Sequence, residues 1–197
     1  MNTPLRTFPV NVSNRHIHMT AEVFEKLFGR DTRPTKVRDL MQTGEFANAQ
    51  KVTLLWKDGK KIENIRVLGP LRKATQCEIS MTDARTLGLD PAPPVRISGN
   101  TVWSHALSLI GPTGVQVDLK EGLIIAKAHI HVPPEVAVQW WVGHSDEVRA
   151  RIEWSREVEM SLTIRSYPWA VLECHIDTDE WGACGIDGRE TVTGWIV

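Results

Sequence analysis

The stretch HIHMTAE at residues 16–22 returns later in the chain as HIHVPPE at residues 129–135. Each copy has two histidines separated by one isoleucine, and a helix-start signal follows, Thr with Glu in one copy and Pro-Pro-Glu in the other. In a β-strand, side chains two residues apart point to the same face. The repeat therefore predicts two strands that each direct an isoleucine into apolar packing and present a pair of imidazoles on the opposite face.

Two further segments share this plan, EISMTD at residues 78–83 and HIDTDE at residues 175–180. Each has a ligand-type residue, then isoleucine, then another polar residue and a helix-start signal. An internal duplication into two related halves would produce four such segments. Strand ends beside helix starts are also where the mouth of a barrel would hold a site.

The four segments place five histidines and one glutamate at related positions: His16, His18, Glu78, His129, His131 and His175. Imidazole nitrogens and carboxylate oxygens suit zinc, with manganese, iron and cobalt as alternatives. Six ligands exceed the number that one catalytic zinc takes, so two metals with three protein ligands each are predicted. A single His-x-His pair would instead indicate only two surface histidines on an exposed strand. The isolated His105 and His144 are interpreted as surface or packing histidines.

The remaining pattern is mostly strand-like. Hydrophobic residues alternate with polar ones most clearly over residues 115–119, 148–154 and 158–164, and Lys120-Glu121-Gly122 is a turn signal between two predicted strands. Short helices are predicted from Thr20 to Gly29, over residues 82–88, and from Pro134 to Gly143. Many short strands at this spacing are typical of β-barrels or β-sandwiches.

The composition excludes several classes of protein. The 197 residues include 23 Lys and Arg against 24 Asp and Glu, so there is no basic excess to favour nucleic acid or a membrane surface. The longest aliphatic stretch is too short to cross a bilayer, and the first residues lack the apolar core of a signal peptide. Three cysteines without CxxC spacing argue against a disulfide framework and favour a reducing cytoplasm, with Cys77 and Cys174 as buried thiols.

A basic pair, Arg72-Lys73, precedes Glu78 after a Gly-Pro turn. A guanidinium close to two metal cations is unfavourable unless an anion lies between them. Phosphate would supply that anion, and Arg72 could bind two of its oxygens at once. The alternative is a solvated charge at a turn.

Four strings of this sequence resemble the PduL-type phosphate acyltransferases, also called phosphate propanoyltransferases. They are VSNRHIHMT, IENIRVLGPLRKATQCEIS, VDLKEGLIIAKAHIHVPPE and HIDTDE. The resemblance runs from about residue 10 to residue 185 and implies two small β-barrel domains with a few short capping helices. It places residues 15–126 in a central barrel, and residues 5–14 with residues 127–197 in a second barrel.

The resemblance also implies a two-zinc site that exchanges the CoA and phosphate of a short acyl group. By position, His16, His18 and Glu78 would bind one zinc, and His129, His131 and His175 the other. Arg72 would bind phosphate. Lys73 and Arg15 are weaker candidates for the phosphates of CoA, with plain surface charge as the alternative.

The expected substrates and products are acyl-CoA (propanoyl-CoA or acetyl-CoA), phosphate, acyl phosphate and CoA, in a reversible reaction. We expect a homo-oligomer without nucleic-acid or membrane partners. Some members of the family enter bacterial microcompartments, so that location, with microcompartment enzymes or shell proteins as partners, is compatible with the resemblance. The rival hypotheses are a two-metal hydrolase of thioesters or phosphoesters, and a metal-stabilised barrel without catalytic activity.

Overall fold

The computed structural model describes residues 6–187 and 192–197. Over these residues the chain is mostly β, with four short α-helices, as the sequence predicts. The elements are β1 Thr7–Val12, β2 His16–His18, α1 Ala21–Phe28, β3 Lys36–Asp39, β4 Phe46–Leu55, β5 Lys61–Gly69, β6 Gln76–Glu78, α2 Met81–Leu87, β7 Val95–Arg96, β8 His105–Ile110, β9 Gln116–Ala126, β10 His129–Val132, α3 Pro134–Trp140, β11 Glu147–Glu153, β12 Glu157–Ser166, β13 Glu173–Ile176, α4 Thr178–Ala183 and β14 Val192–Ile196.

The chain divides into two compact units, and each contains a closed barrel. The first unit, here the central barrel, comprises Asn14–Leu40 and Gly44–Ala126. Its ring runs β4-β5-β2-β6-β9-β8 and returns to β4, while β3 pairs with β4 and β7 with β9. The second unit, here the terminal barrel, comprises the residues up to Ser13, Met41–Thr43 and the residues from Lys127. Its ring runs β1-β13-β10-β12-β11-β14.

The two rings have the same order of parallel and antiparallel pairings. The histidine strand, β2 or β10, is parallel to β5 or β12 and antiparallel to β6 or β13. The strand that precedes each histidine strand in sequence belongs to the other barrel. Strand β1 precedes β2 but closes the terminal barrel, and β9 precedes β10 but closes the central barrel. The matching topology supports the internal duplication that the sequence repeat predicts.

Each barrel encloses its own hydrophobic core. Ile17, the central residue of β2, is fully buried in the core of the central barrel, and Ile130 of β10 is fully buried in the core of the terminal barrel. Because neighbouring side chains alternate between faces, these isoleucines orient the flanking histidines away from the core. The hydrophobic effect on one residue per strand thus sets the direction of two potential ligands.

Each ligand strand leads directly into a helix start. Thr20 caps α1 by accepting a hydrogen bond from the Val23 backbone N–H, and Ser80 caps α2 in a capping box. Asp177 forms a second capping box at α4, whereas α3 begins at Pro134. In all four segments the N-cap position lies two residues after the last candidate ligand, which is the plan that the four sequence segments share.

Two local predictions are wrong. The turn expected at Lys120-Glu121-Gly122 does not form, because β9 continues through it from Gln116 to Ala126. Gly122 instead has φ of +126°, and a Cβ there would lie 2.6 Å from the Thr75 carbonyl oxygen, so the glycine allows close packing within a strand. Helix α3 ends at Trp140, because its C-cap residue Trp141 has φ of +57°, and so does not extend to Gly143.

All three cysteines are free and buried, as predicted for Cys77 and Cys174. Burial raises the pKa of the Cys174 thiol well above its usual value, which keeps it protonated and unreactive. Among the described residues, none of the helices has both the length and the apolar character that a bilayer span requires.

The capping box of α4 generates a pH prediction. Burial, together with Asp177 and Asp179, raises the pKa of Glu180 to about 7 from 4.5. Stability from this group is therefore full below pH 4.5 and is lost as the pH rises towards 7. Glu180→Gln keeps an oxygen acceptor for the Asp177 backbone N–H and removes the charge. We expect the variant to gain stability over the wild type by on the order of 2 kcal/mol at pH 8 and by little at pH 4.5.

Denaturant unfolding of both proteins across this pH range measures the difference. Glu135→Gln is the matched control, since Glu135 lies exposed in the first turn of α3. An equal gain for Glu180→Gln at both ends of the range would contradict the prediction.

Candidate metal centres

Three predicted ligands converge in the central barrel: His16, His18 and Glu78. His16 and His18 lie on one face of β2, and the antiparallel register sets His16 directly opposite Glu78 of β6. The His16 Nε2 and Glu78 Oε2 atoms are 3.5 Å apart, and one potential ligand atom from each residue lies within 4.8 Å of the others. All three side chains are buried.

Hydrogen bonds and charge prepare this group for a cation. The Nδ1 atom of His16 donates to the Asn14 carbonyl oxygen at 2.8 Å, which leaves Nε2, 3.5 Å from Glu78 Oε2, as the ring nitrogen available to a metal. Burial would raise the pKa of Glu78, but His16 and His18 hold it well below its usual range. The carboxylate is therefore ionised at neutral pH and can act as an oxygen ligand.

The other three predicted ligands converge in the terminal barrel: His129, His131 and His175. Here the antiparallel register sets His129 of β10 opposite His175 of β13, and the Nε2 atoms of His129 and His131 approach to 3.1 Å. The Nδ1 atom of His129 donates to the Lys127 carbonyl oxygen at 2.8 Å. Its Nε2 atom is thus unprotonated in the neutral ring and directs a lone pair towards His131.

Both groups fit a zinc ion by the chemistry of their donors. One offers two imidazoles and a carboxylate and the other three imidazoles, which are the ligand types of catalytic zinc sites with an open fourth position. The short approach between two imidazole nitrogens is the arrangement that a cation between them would stabilise. The structure therefore places the six predicted ligands in two groups of three, one in each barrel.

Arg72 lies beside the group in the central barrel. Its guanidinium pairs with Glu45 at 2.7 Å and contacts the Ser98 hydroxyl at 3.5 Å. Ser98 also accepts a hydrogen bond from Gln76, which donates to Glu78 at 2.6 Å. The Arg72 side chain is partly exposed and is thus connected to the candidate ligands while remaining accessible to an anion.

The two weaker candidates have different surroundings. Lys73 is exposed, as a contact for a phosphate in solution would be. Arg15 binds Asp83 through two hydrogen-bonded contacts of 2.7 and 2.9 Å, and Asp83 belongs to the capping box of α2. Arg15 therefore already supports a helix start.

Several polar residues around the two groups were missed by the sequence analysis. Glu45 and Ser98 contact Arg72, while Gln42, Tyr167 and Glu173 surround the histidines of the terminal barrel. Glu173 lies two residues before His175, a spacing that the sequence does show. Gln42 lies far from the histidines of the terminal barrel in sequence, and neither Gln42 nor Tyr167 belongs to a motif.

Comparison with known proteins gives a consistent result. The family model described as phosphate propanoyltransferase matches residues 9–187. The phosphate propanoyltransferase of Lachnoclostridium phytofermentans is 44% identical over 186 residues, which cover 94% of this chain and 85% of that protein. Proteins of the same name from Thermotoga maritima (43% identity, 93% of this chain and 86% of that protein) and Salmonella typhimurium (42%, 92% and 85%) are also similar.

The two groups predict separable losses of metal. His16→Ala and His129→Ala should each reduce bound zinc from about two ions per chain to about one, because each removes a ligand from a different group. Elemental analysis of protein loaded with zinc and then freed of excess metal measures the ratio. His105→Ala and His144→Ala are controls, since neither histidine belongs to the two groups. Loss of both ions from either single variant would contradict independent sites.

Proposed function

Because the chain belongs to the phosphate propanoyltransferase family, we propose that it converts a short-chain acyl-CoA and phosphate reversibly into acyl phosphate and CoA. Propanoyl-CoA and acetyl-CoA are the proposed acyl donors. The proposal includes two zinc ions, one bound by His16, His18 and Glu78 and one by His129, His131 and His175. The observation that carries it is the convergence of three candidate ligands in each barrel, with five of the six buried.

Three protein ligands leave a coordination position for substrate, which distinguishes a catalytic zinc site from a closed structural one. When bound, zinc would act as a Lewis acid that stabilises negative charge developing on oxygen. The chain contributes ligands whose orientation is fixed before metal arrives. The hydrogen bonds of His16 to Asn14 and of His129 to Lys127 fix these two imidazole rings.

In the proposed reaction a phosphate oxygen attacks the thioester carbonyl carbon. The new C–O bond forms as the C–S bond breaks, and the proton of hydrogen phosphate ends on the CoA thiolate. The bound phosphate is itself the nucleophile, so the scheme requires no serine or cysteine. The buried and protonated Cys77 and Cys174 are consistent with that assignment.

Arg72 is the proposed phosphate-binding residue. Its planar guanidinium can bind two phosphate oxygens, and its contact with Ser98 connects it to the Gln76–Glu78 pair beside the candidate metal ligands. Glu45 holds one side of the guanidinium and limits its motion. Fixing the anion in this way reduces the entropy that the attack on the thioester would otherwise cost.

Lys73 and Arg15 are the proposed contacts for the phosphates of CoA. Both belong to the same unit as Arg72. Lys73 is exposed, while Arg15 would have to bind CoA with the part of its guanidinium that faces away from Asp83. We therefore assign Lys73 the stronger contribution.

Release of CoA thiol tests the reaction class. Metal-loaded protein should release CoA from propanoyl-CoA or acetyl-CoA only when phosphate is present, and chelation should abolish the release. Equal release without phosphate would identify a hydrolase instead. Full activity after metal removal would contradict the zinc-dependent scheme.

Arg72 variants test phosphate binding within the same assay. Arg72→Ala should raise KM for phosphate by roughly 10- to 100-fold while leaving KM for acyl-CoA nearly unchanged, because a charge-assisted contact to one substrate is lost. Arg72→Lys should show an intermediate effect, since lysine retains the charge without the bidentate geometry. Arg149→Ala, which removes an exposed arginine of the terminal barrel, is the control. An equal rise in both KM values would argue against a specific role for Arg72.

A further inference from the structure

Gln42 is a buried amide that connects two of the three candidate ligands in the terminal barrel. Its side chain is 4% exposed, and the short segment Met41–Thr43 belongs to the same unit as β10 and β13. Gln42 contacts Tyr167 on one side and Glu173 on the other. Tyr167 in turn contacts His131, and Glu173 contacts His175.

The backbone of Val171 determines which way the Gln42 amide faces. The Val171 N–H donates to Gln42 Oε1 at 3.1 Å, and the Val171 carbonyl oxygen accepts from Gln42 Nε2 at 3.0 Å. The reversed amide would place its NH₂ group against the N–H and its oxygen against the carbonyl. The Gln42 oxygen therefore faces Tyr167 and the NH₂ group faces Glu173.

This orientation fixes the proton on His131. The Tyr167 hydroxyl lies 3.1 Å from Gln42 Oε1 and 2.8 Å from His131 Nδ1. Gln42 Oε1 can only accept a hydrogen bond, so the Tyr167 hydroxyl donates its proton to Gln42. The contact between Tyr167 and His131 then takes its proton from the imidazole, and Tyr167 accepts from His131 Nδ1–H. In this arrangement His131 directs the lone pair of Nε2 towards His129 Nε2, 3.1 Å away.

The same amide acts oppositely on His175. The Gln42 Nε2 atom donates to Glu173 Oε2 at 2.8 Å. The same carboxylate oxygen also accepts from His175 Nε2 at 2.8 Å. The other carboxylate oxygen of Glu173 accepts from Asn11 at 2.6 Å. A carboxylate held by these donors places the proton of His175 on Nε2, which leaves Nδ1 as its metal-binding atom.

The central barrel arranges the corresponding groups differently. Gln76 occupies the position of Glu173 and Glu78 that of His175, because both pairs lie opposite the histidine strand in the same register. The backbone N–H of Gly99 fixes the Gln76 amide, which donates to Glu78 at 2.6 Å. The carboxylate is itself a candidate ligand there, whereas in the terminal barrel it orients an imidazole.

We propose that Gln42 is a positioning residue that makes His131 and His175 offer opposite ring nitrogens to a metal, Nε2 from His131 and Nδ1 from His175. The inference rests on the proposed function only in assuming that this group binds zinc. It assigns Gln42, Tyr167 and Glu173 a role beside the ligands, acting through hydrogen bonds rather than through contact with substrate.

Long-range ¹H–¹⁵N NMR of the zinc-loaded protein tests this directly, because it distinguishes protonated, unprotonated and metal-bound ring nitrogens. The expected spectrum shows His129 and His131 bound through Nε2 and protonated at Nδ1, with His175 bound through Nδ1 and protonated at Nε2. Binding of His175 through Nε2 would overturn the inference while leaving the metal site in place. An absence of zinc from this group would overturn both the proposed site and the inference.

Variants then separate the two arms. Tyr167→Phe removes the acceptor for His131 but leaves the contact between Gln42 and Glu173, so only His131 should lose its fixed tautomer in metal-free protein. Glu173→Ala removes the acceptor for His175 but leaves the contacts of Gln42 with Tyr167 and Val171, so the altered resonances should be those of His175. A change at both histidines in either variant, or at neither, would overturn the assignment.

Zinc affinity provides an independent readout. In a His16→Ala background, which keeps the three-histidine group intact, Gln42→Leu should weaken zinc binding roughly 10- to 100-fold. Gln50→Leu is the matched control, because Gln50 makes a similar number of local bonds near Thr35 in the other unit. Equal affinities in the two variants would contradict a positioning role for Gln42.

Discussion

The antiparallel pairing of each histidine strand with one neighbour determines where the candidate ligands lie. It sets His16 opposite Glu78 in one barrel and His129 opposite His175 in the other. A slip of one residue would exchange the faces, moving a ligand into the core and an isoleucine out of it. Burial of Ile17 and Ile130 opposes such a slip, so the same packing that stabilises each barrel also maintains the ligand geometry.

Each barrel contains a buried carboxylate beside imidazoles. Isolated charges are costly to bury, so each carboxylate has several partners. Glu78 is held by His16, His18 and Gln76, and Glu173 by His175, Gln42 and Asn11. The two barrels thus contain related groups, but the carboxylate lies opposite His16 in the central barrel and opposite His131 in the terminal barrel, so the chemical environments of the two candidate metals differ.

The sequence predicted much of this arrangement because its strongest signals are local. The His-Ile-His pattern depends on strand alternation, and the helix starts depend on residues within one turn of their caps. All six candidate ligands were selected on those grounds, and the structure groups them as the family resemblance implied.

The remainder depends on tertiary contacts that no local pattern encodes. Lys120-Glu121-Gly122 has the composition of a turn, yet the pairing of β9 with its neighbours keeps the strand continuous, and Gly122 accommodates the Thr75 backbone. The contact of Gln42 with Glu173 joins residues 131 positions apart. Its amide orientation follows from hydrogen bonds to Val171, which exist only once the terminal barrel has formed.

Because β1 closes the terminal barrel and β9 closes the central barrel, the order in which the strands are translated affects when each barrel can form. The central barrel has all its strands as soon as β9 has left the ribosome, before strands β10 to β14 of the terminal barrel are translated. Strand β1 is translated before the central barrel, whereas its partners β13 and β14 are translated after it, with Val10 pairing to Cys174. Strand β1 therefore cannot pair until the central barrel has been translated, and closing so long a loop costs more entropy than pairing neighbouring strands.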